Sequence, residues 1–190
     1  MNKEVITIVS GLPRSGTSTM MNMLEAGGMD VLIDNIRKSD EDNPKGYYEF
    51  EKVKKIEKDS SWLEDARGKA IKIISVLVRF LPRRYRYNII FMLRNMQEIL
   101  DSQRQMLIRR GEFANAISDE EMERLFLKDL EMVKEWLDKQ PNMNVIYISY
   151  NQLLTDPSKY CKEIMHFLGI NLDIDNMIKV IDNTLYRQRR

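Results

Sequence analysis

Gly11-Leu-Pro-Arg-Ser-Gly-Thr-Ser18 is the segment in which residue type and spacing most directly imply chemistry. It follows a short β-branched run, Val5–Ser10, and precedes Met20, Met21, Met23 and Leu24 on helical spacing. A glycine-rich turn between strand and helix aims backbone N–H groups at one point. The helix N-terminus adds partial positive charge, so a cluster of anionic oxygens is favoured there. Thr17 and Ser18 supply hydroxyl donors, and Arg14 puts a cation inside the loop. Glycines at 11 and 16 have the spacing of the triphosphate loop G-x-x-x-x-G-K-[ST], yet Thr17 stands at the Lys position. Anion binding is expected; simple triphosphate hydrolysis is disfavoured, because the missing Lys ordinarily reaches the β- and γ-phosphates. The plainer alternative, a tight turn whose hydroxyls only cap the helix, leaves the in-loop Arg14 unexplained.

A second candidate anion clamp lies further along. The apolar run Asn88–Leu93 leads into Arg94, and Ser102 follows eight residues later, in the second turn of a helix expected over Gln97–Arg110. An Arg fork beside a hydroxyl suits a phosphate. Taken alone, the pair reads equally as a solvated helix face.

The two segments together resemble the sulfotransferase superfamily. Pro13-Arg14-Ser15-Gly16-Thr17-Ser18 matches every position of its 5′-phosphosulfate loop, P-[KR]-[SA]-G-T-[TS], in the Arg form of the tyrosylprotein branch and many bacterial members. FMLRNMQEILDSQ resembles that family's 3′-phosphate motif in sequence, spacing and order. Tyr150-Asn-Gln-Leu-Leu-Thr-Asp-Pro157, followed by Phe167-Leu-Gly, resembles its Y-x-x-L-x-x-D-P … F-L-G segment. NPKGYYEFE (43–51) and the terminal LYRQRR look like a bacterial subgroup. The resemblance implies a P-loop nucleoside-triphosphate-hydrolase-like α/β fold with three α/β/α layers and a mostly parallel central sheet. It also implies 3′-phosphoadenosine 5′-phosphosulfate (PAPS) as donor and sulfuryl transfer to a hydroxyl or amine, with no metal. Pro13, Arg14, Ser15, Gly16, Thr17 and Ser18 would surround the 5′-phosphate, while Arg94 and Ser102 hold the 3′-phosphate. Arg14 would meet charge growing on the bridging oxygen, with Lys72 assisting.

Small-molecule members of that family take the acceptor's proton on a His in a Lys-Thr-His motif. The corresponding segment here is Ala70-Ile-Lys-Ile-Ile74, which keeps Lys72 and has Ile74 at the His position. His166 falls on a late amphipathic helix and reads as a packed or surface residue. A carboxylate must then serve as base. Asp34, twenty residues after Arg14, is the first choice by its similarity in offset to the tyrosylprotein branch, and Glu49 within GYYEFE is the second. Thr19 replaces a Trp that often stacks on adenine, and the closing R-K-G-x-x-G-D-W-K segment is absent, although Arg187, Arg189 and Arg190 carry similar charge. These departures bear on catalysis more than on cofactor binding. Two rival classes stay open: a nucleotide or metabolite kinase with a degenerate loop, and a non-catalytic protein binding 3′,5′-adenosine bisphosphate (PAP).

The elements that must position these residues alternate. After the first strand and helix, stopped by Gly27-Gly28, come a polar stretch of loop and short helix to Gly68 and apolar β-rich runs at Ile71–Val78 and Asn88–Leu93. The helix ending at Gly111 is next. A capping box at Ser118–Glu121 opens a helix with Met122, Leu125, Phe126, Leu130, Val133 and Leu137 in one stripe. Val145–Ser149 reads as a buried strand, and Asp156-Pro157 to Gly169 frames another helix. A fifth strand near Asp30–Ile33 is allowed. Such alternation implies a parallel sheet covered on both faces.

At 190 residues, with 43% hydrophobic and 31% charged, the chain is expected to form one domain spanning 1–190. A net charge of +1 argues against nucleic acid or acidic membrane as partner. Cys161 alone suits a reducing compartment, and the apolar runs are short for a signal peptide or span, so a cytoplasmic location is expected. No His and acidic cluster has metal-ligand spacing.

Overall fold

The computed structural model describes residues 4–34, 36, 37, 40, 46–109, 111 and 117–182. Four parallel strands form the sheet: β1 (Val5–Gly11), β2 (Ala70–Lys72), β3 (Arg86–Leu93) and β4 (Met143–Ser149), in the order β2-β1-β3-β4. Around it run α1 (Thr17–Ala26), α2 (Ser75–Val78), α3 (Met96–Arg109), α4 (Asp119–Leu137), α5 (Tyr150–Thr155), α6 (Pro157–Leu168) and α7 (Ile174–Lys179).

Strand residues alternate between two cores, as the twofold repeat of a strand requires. Ile6, Ile8, Ile71, Ile89 and Phe91 pack with Trp62, Leu63, Val133 and Leu137 on one face. Val9, Ile90, Met92 and Ile148 pack with Met20, Met21, Leu24, Leu153, Ile164 and Met177 on the other. The result is a three-layer α/β/α arrangement of P-loop type. α1 begins at Gly16 and stops before Gly27-Gly28, and α6 has Asp156 capping Lys159 N at 3.2 Å and Gly169 at φ 64°.

Several expectations need correction. Ile71–Val78 is not one strand: β2 ends at Lys72, and residues 75–78 form a short helix whose Ser75 hydroxyl bonds Asp129 on α4 at 2.5 Å. The segment near Asp30–Ile33 makes a single parallel bridge, Val31 to Ala70, rather than a fifth strand. The polar stretch holds two 3₁₀ turns, Glu51–Lys55 and Ser61–Glu64. β4 is an edge strand, so Val145 and Ile146 are half-buried and Tyr147 is exposed. The α4 stripe is buried only at its C-terminal end, where Val133 and Leu137 reach the sheet; Leu125 is exposed. A helix of 19 residues outruns the sheet it covers.

Strand order positions the site. From β1 the chain goes to β2 on one side, then crosses to β3 on the other. The direction of winding therefore reverses between β1 and β3, the place at which open α/β sheets form a ligand crevice at their carboxyl ends. The register pairs Gly11 with Met92 and Leu93 with Ser149, so the segments leaving β1, β3 and β4 emerge at one level.

Candidate active site

The loop from Gly11 to Gly16 is shaped by left-handed backbone at Gly16 (φ 96°) and at Arg14 (φ 68°). For a non-glycine residue this conformation costs on the order of 1 kcal/mol and persists only where the surroundings enforce it. Here Arg94 Nη1 donates to the Arg14 carbonyl at 2.9 Å. A β-carbon at Gly11 would lie 2.6 Å from the Met92 carbonyl oxygen, and one at Gly16 would collide with the Tyr150 ring. The loop lies on β3 and on the start of α5 without a gap. Gly16 is also the α1 N-cap and, lacking a side chain, gives the first-turn N–H groups no side-chain cap.

Arg94, Ser102 and Arg14 meet in this crevice. Arg14 Nε donates to Ser102 Oγ at 2.9 Å, while Arg94 Nε donates to Glu98 Oε2 at 2.9 Å. The Arg94 guanidinium also lies 5.2 Å from the Tyr150 ring centroid. Ser102 is buried, facing the loop rather than solvent. The sequence holds Arg14 and Arg94 eighty residues apart; their contact comes from β1 and β3 being neighbours.

Lys72 enters from β2, whose last residue pairs with Val9. Its ammonium donates to Ser18 Oγ at 3.4 Å and to the Tyr47 carbonyl, and lies 3.7 Å from Glu49 Oε1. Burial pushes its pKa down to about 8, against the opposing pull of the Glu49 carboxylate. Ser18 Oγ donates to the same Tyr47 carbonyl at 3.2 Å. The strip 46–50 is pinned onto α1 by the left-handed Tyr48 (φ 53°), whose hydroxyl donates to Glu25 at 2.5 Å.

The two candidate bases sit on this strip and its neighbour. Glu49 is held by Arg37 at 2.7 Å and faces Lys72. Asp34 lies one step away: its carboxylate accepts the N–H groups of Ile36 at 3.0 Å and Glu51 at 2.5 Å. Arg37 stacks over the Tyr47 ring at 3.3 Å from its centroid. Burial and a hydrogen bond to Asp40 raise the Tyr47 pKa. His166 is exposed on α6, and Trp62 is a buried anchor against Phe50 at 5.4 Å. Asn43–Lys45 and the arginines 187, 189 and 190 lie outside the described residues.

Arg37 was not singled out from the sequence, and Tyr47, Glu98, Tyr150 and Asn151 lay inside the quoted segments without being given a role. Glu98 carried one usable signal, its i,i+4 spacing from Arg94. Arg37 carried none.

A family model for the sulfotransferase domain matches residues 6–190. The chain belongs to the sulfotransferase family. No curated protein matches it at a significant level. Among solved structures it is similar to mouse sulfotransferase SULT7A1 complexed with PAP, at 22% identity and a TM-score of 0.59, over 95% of this chain and 63% of that one. It is also similar to the sulfotransferase domain of the Synechococcus PCC 7002 olefin synthase, at 13% identity and a TM-score of 0.56, over 98% of this chain and 80% of that one. These likenesses establish the fold. This sulfotransferase-family chain spans a little under two thirds of the mouse protein's length. Among its described residues no helix is long and apolar enough to cross a membrane, and no group of three or more His, Cys, Asp or Glu could hold a metal ion.

Proposed function

We propose that this chain is one sulfotransferase domain that moves a sulfuryl group from PAPS to a hydroxyl or amine acceptor. The observation that carries the reading is the meeting of Arg14, Arg94 and Ser102 at the switch point between β1 and β3. One crevice thus offers two cationic donors and an uncapped helix N-terminus, which suits a ligand with phosphates at two ends. The PAP seen with the mouse structure is such a ligand.

The donor supplies an activated sulfur whose bond to the bridging oxygen breaks as the acceptor's oxygen or nitrogen bonds to that sulfur. PAP departs with the electron pair of the broken bond. The amides of Arg14–Ser18, with the Thr17 and Ser18 hydroxyls, hold the 5′-phosphate. Arg94 and Ser102 hold the 3′-phosphate and align the donor, which lowers the orientational cost. Arg14 turns toward the bridging oxygen and neutralises its growing charge, with Lys72 alongside; preorganised donors of this kind carry much of the rate gain. The acceptor's proton passes to a carboxylate. Asp34 leads by its offset from Arg14, although it must release an amide to act. Glu49 is the alternative, already in contact with Lys72.

Thermal-shift titration separates this reading from a kinase. A ligand at a hundred times its Kd stabilises the native state by about 2.7 kcal/mol. PAP is expected to raise the melting temperature, and ATP with magnesium to leave it unmoved. A larger shift with ATP and magnesium overturns the assignment. Transfer of labelled sulfate from PAPS to a panel of phenol, carbohydrate and peptide acceptors then separates an enzyme from a binding protein.

A further inference from the structure

Glu98 is a carboxylate with no solvent exposure, four residues after Arg94 on α3. Burying such a group is costly unless charge and hydrogen bonds are returned to it. Here Oε2 accepts from Arg94 Nε at 2.9 Å and Oε1 from Asn151 Nδ2 at 3.0 Å. Asn151 Oδ1 in turn accepts the N–H of Asn95 at 3.1 Å. The segments that leave β3 and β4 are thereby tied together beneath the crevice. The neighbouring Tyr150 ring packs on Gly16 and on the Arg94 guanidinium.

A well-packed apolar pair at positions 94 and 98 would hold α3 in place at least as well as a buried ion pair does. What the ion pair adds is direction. A guanidinium is a planar fork. With Nε on Glu98 and Nη1 on the Arg14 carbonyl, the plane of Arg94 is fixed from two sides.

We propose that Glu98 and Asn151 are positioning residues that aim Arg94, and through it set the preference for an adenosine nucleotide bearing a 3′-phosphate. This rests on the reading of Arg94 as a 3′-phosphate ligand. Glu98→Gln keeps shape but replaces one acceptor oxygen by an N–H donor, which must face either Arg94 or Asn151 donor to donor. Asn151→Ala removes the other brace.

Calorimetric titration of the purified full chain with PAP and with adenosine 5′-monophosphate tests this. In both variants the ratio of the two affinities is expected to fall about tenfold, the worth of one charge-assisted hydrogen bond. Affinity for the monophosphate falls by less than affinity for PAP, because Arg94 also steadies the Arg14 carbonyl of the loop. Adding Glu98→Gln to Arg94→Ala lowers the ratio no further than Arg94→Ala alone. Where Glu98→Gln fails to fold, the half-buried Asn151→Ala gives the same reading. A wild-type ratio in a folded variant overturns the proposal, because Glu98 then only fills space. Should the wild type itself show no preference for PAP, the proposed function fails first and this inference fails with it.

Discussion

At Lys72 burial and charge pull against each other. Its ammonium is buried among Ser18, the Tyr47 carbonyl and Glu49, and its pKa is pushed down to about 8 from the ordinary 10.5. In the free protein it therefore loses its proton as pH rises through about 8. If the cation assists transfer, kcat/KM for PAPS falls over that range. The bound anionic donor raises the Lys72 pKa, so the alkaline limb of kcat lies at higher pH. A Lys72→Met variant tests both sides of the conflict. Below pH 8 the wild type holds a charge that burial disfavours, and the variant melts higher; the gap narrows as pH climbs toward 10.5, where the unfolded chain loses the proton too. The same variant should transfer sulfate more slowly. Equal melting temperatures at pH 7 would sink the burial argument. Arg14 divides differently: Arg14→Ala is expected to cut kcat by about a hundredfold or more while changing PAP affinity little, as removal of a transition-state donor does. Steady-state kinetics beside calorimetry reads both. Asp34→Asn and Glu49→Gln, compared for kcat, decide which carboxylate takes the proton.

At the scale of elements, the loop and α3 are coupled more tightly than either motif suggests. Gly16→Ala forces a side chain into left-handed backbone and against Tyr150, so it should lower the melting temperature and abolish PAP binding together. Arg94→Ala has two effects. It weakens PAP binding, and it removes the guanidinium from a carboxylate with no exposure to solvent, a loss of about 3–5 kcal/mol by analogy with broken buried pairs. Pairing it with Glu98→Gln should recover most of that stability and none of the binding, which denaturant melts beside titration would display. A fully stable Arg94→Ala contradicts the buried-pair account. Element boundaries followed local chemistry where it was strong. Gly27-Gly28, Asp156-Pro157 and Gly169 ended or began helices as read, because caps and left-handed glycines are decided within a few residues. Residues 71–78 misled, since an apolar run does not reveal how many of its residues find a strand partner.

Across the whole molecule the inner strands β1 and β3 are paired on both sides and buried on both faces, whereas β4 has a half-exposed edge. Hydrogen exchange should be slowest in β1 and β3 and faster in β4. PAP is expected to slow the amides of residues 14–18 together with those near Arg94 and Ser102. Protection confined to one of the two segments would show that they do not share a ligand. The residue types and spacings of 11–18 and 94–102 were enough to mark two candidate anion sites, and those of the whole chain an alternating α/β fold, because turn, cap and hydrophobic period are local properties of a chain. That the two segments meet, Arg14 with Ser102 and Arg94 with the Arg14 carbonyl, was decided only by the order β2-β1-β3-β4, and so were the brace of Glu98 by Asn151 and the burial of Lys72. Each depends on which strands lie side by side, and pairing between distant segments leaves no periodic trace in either of them.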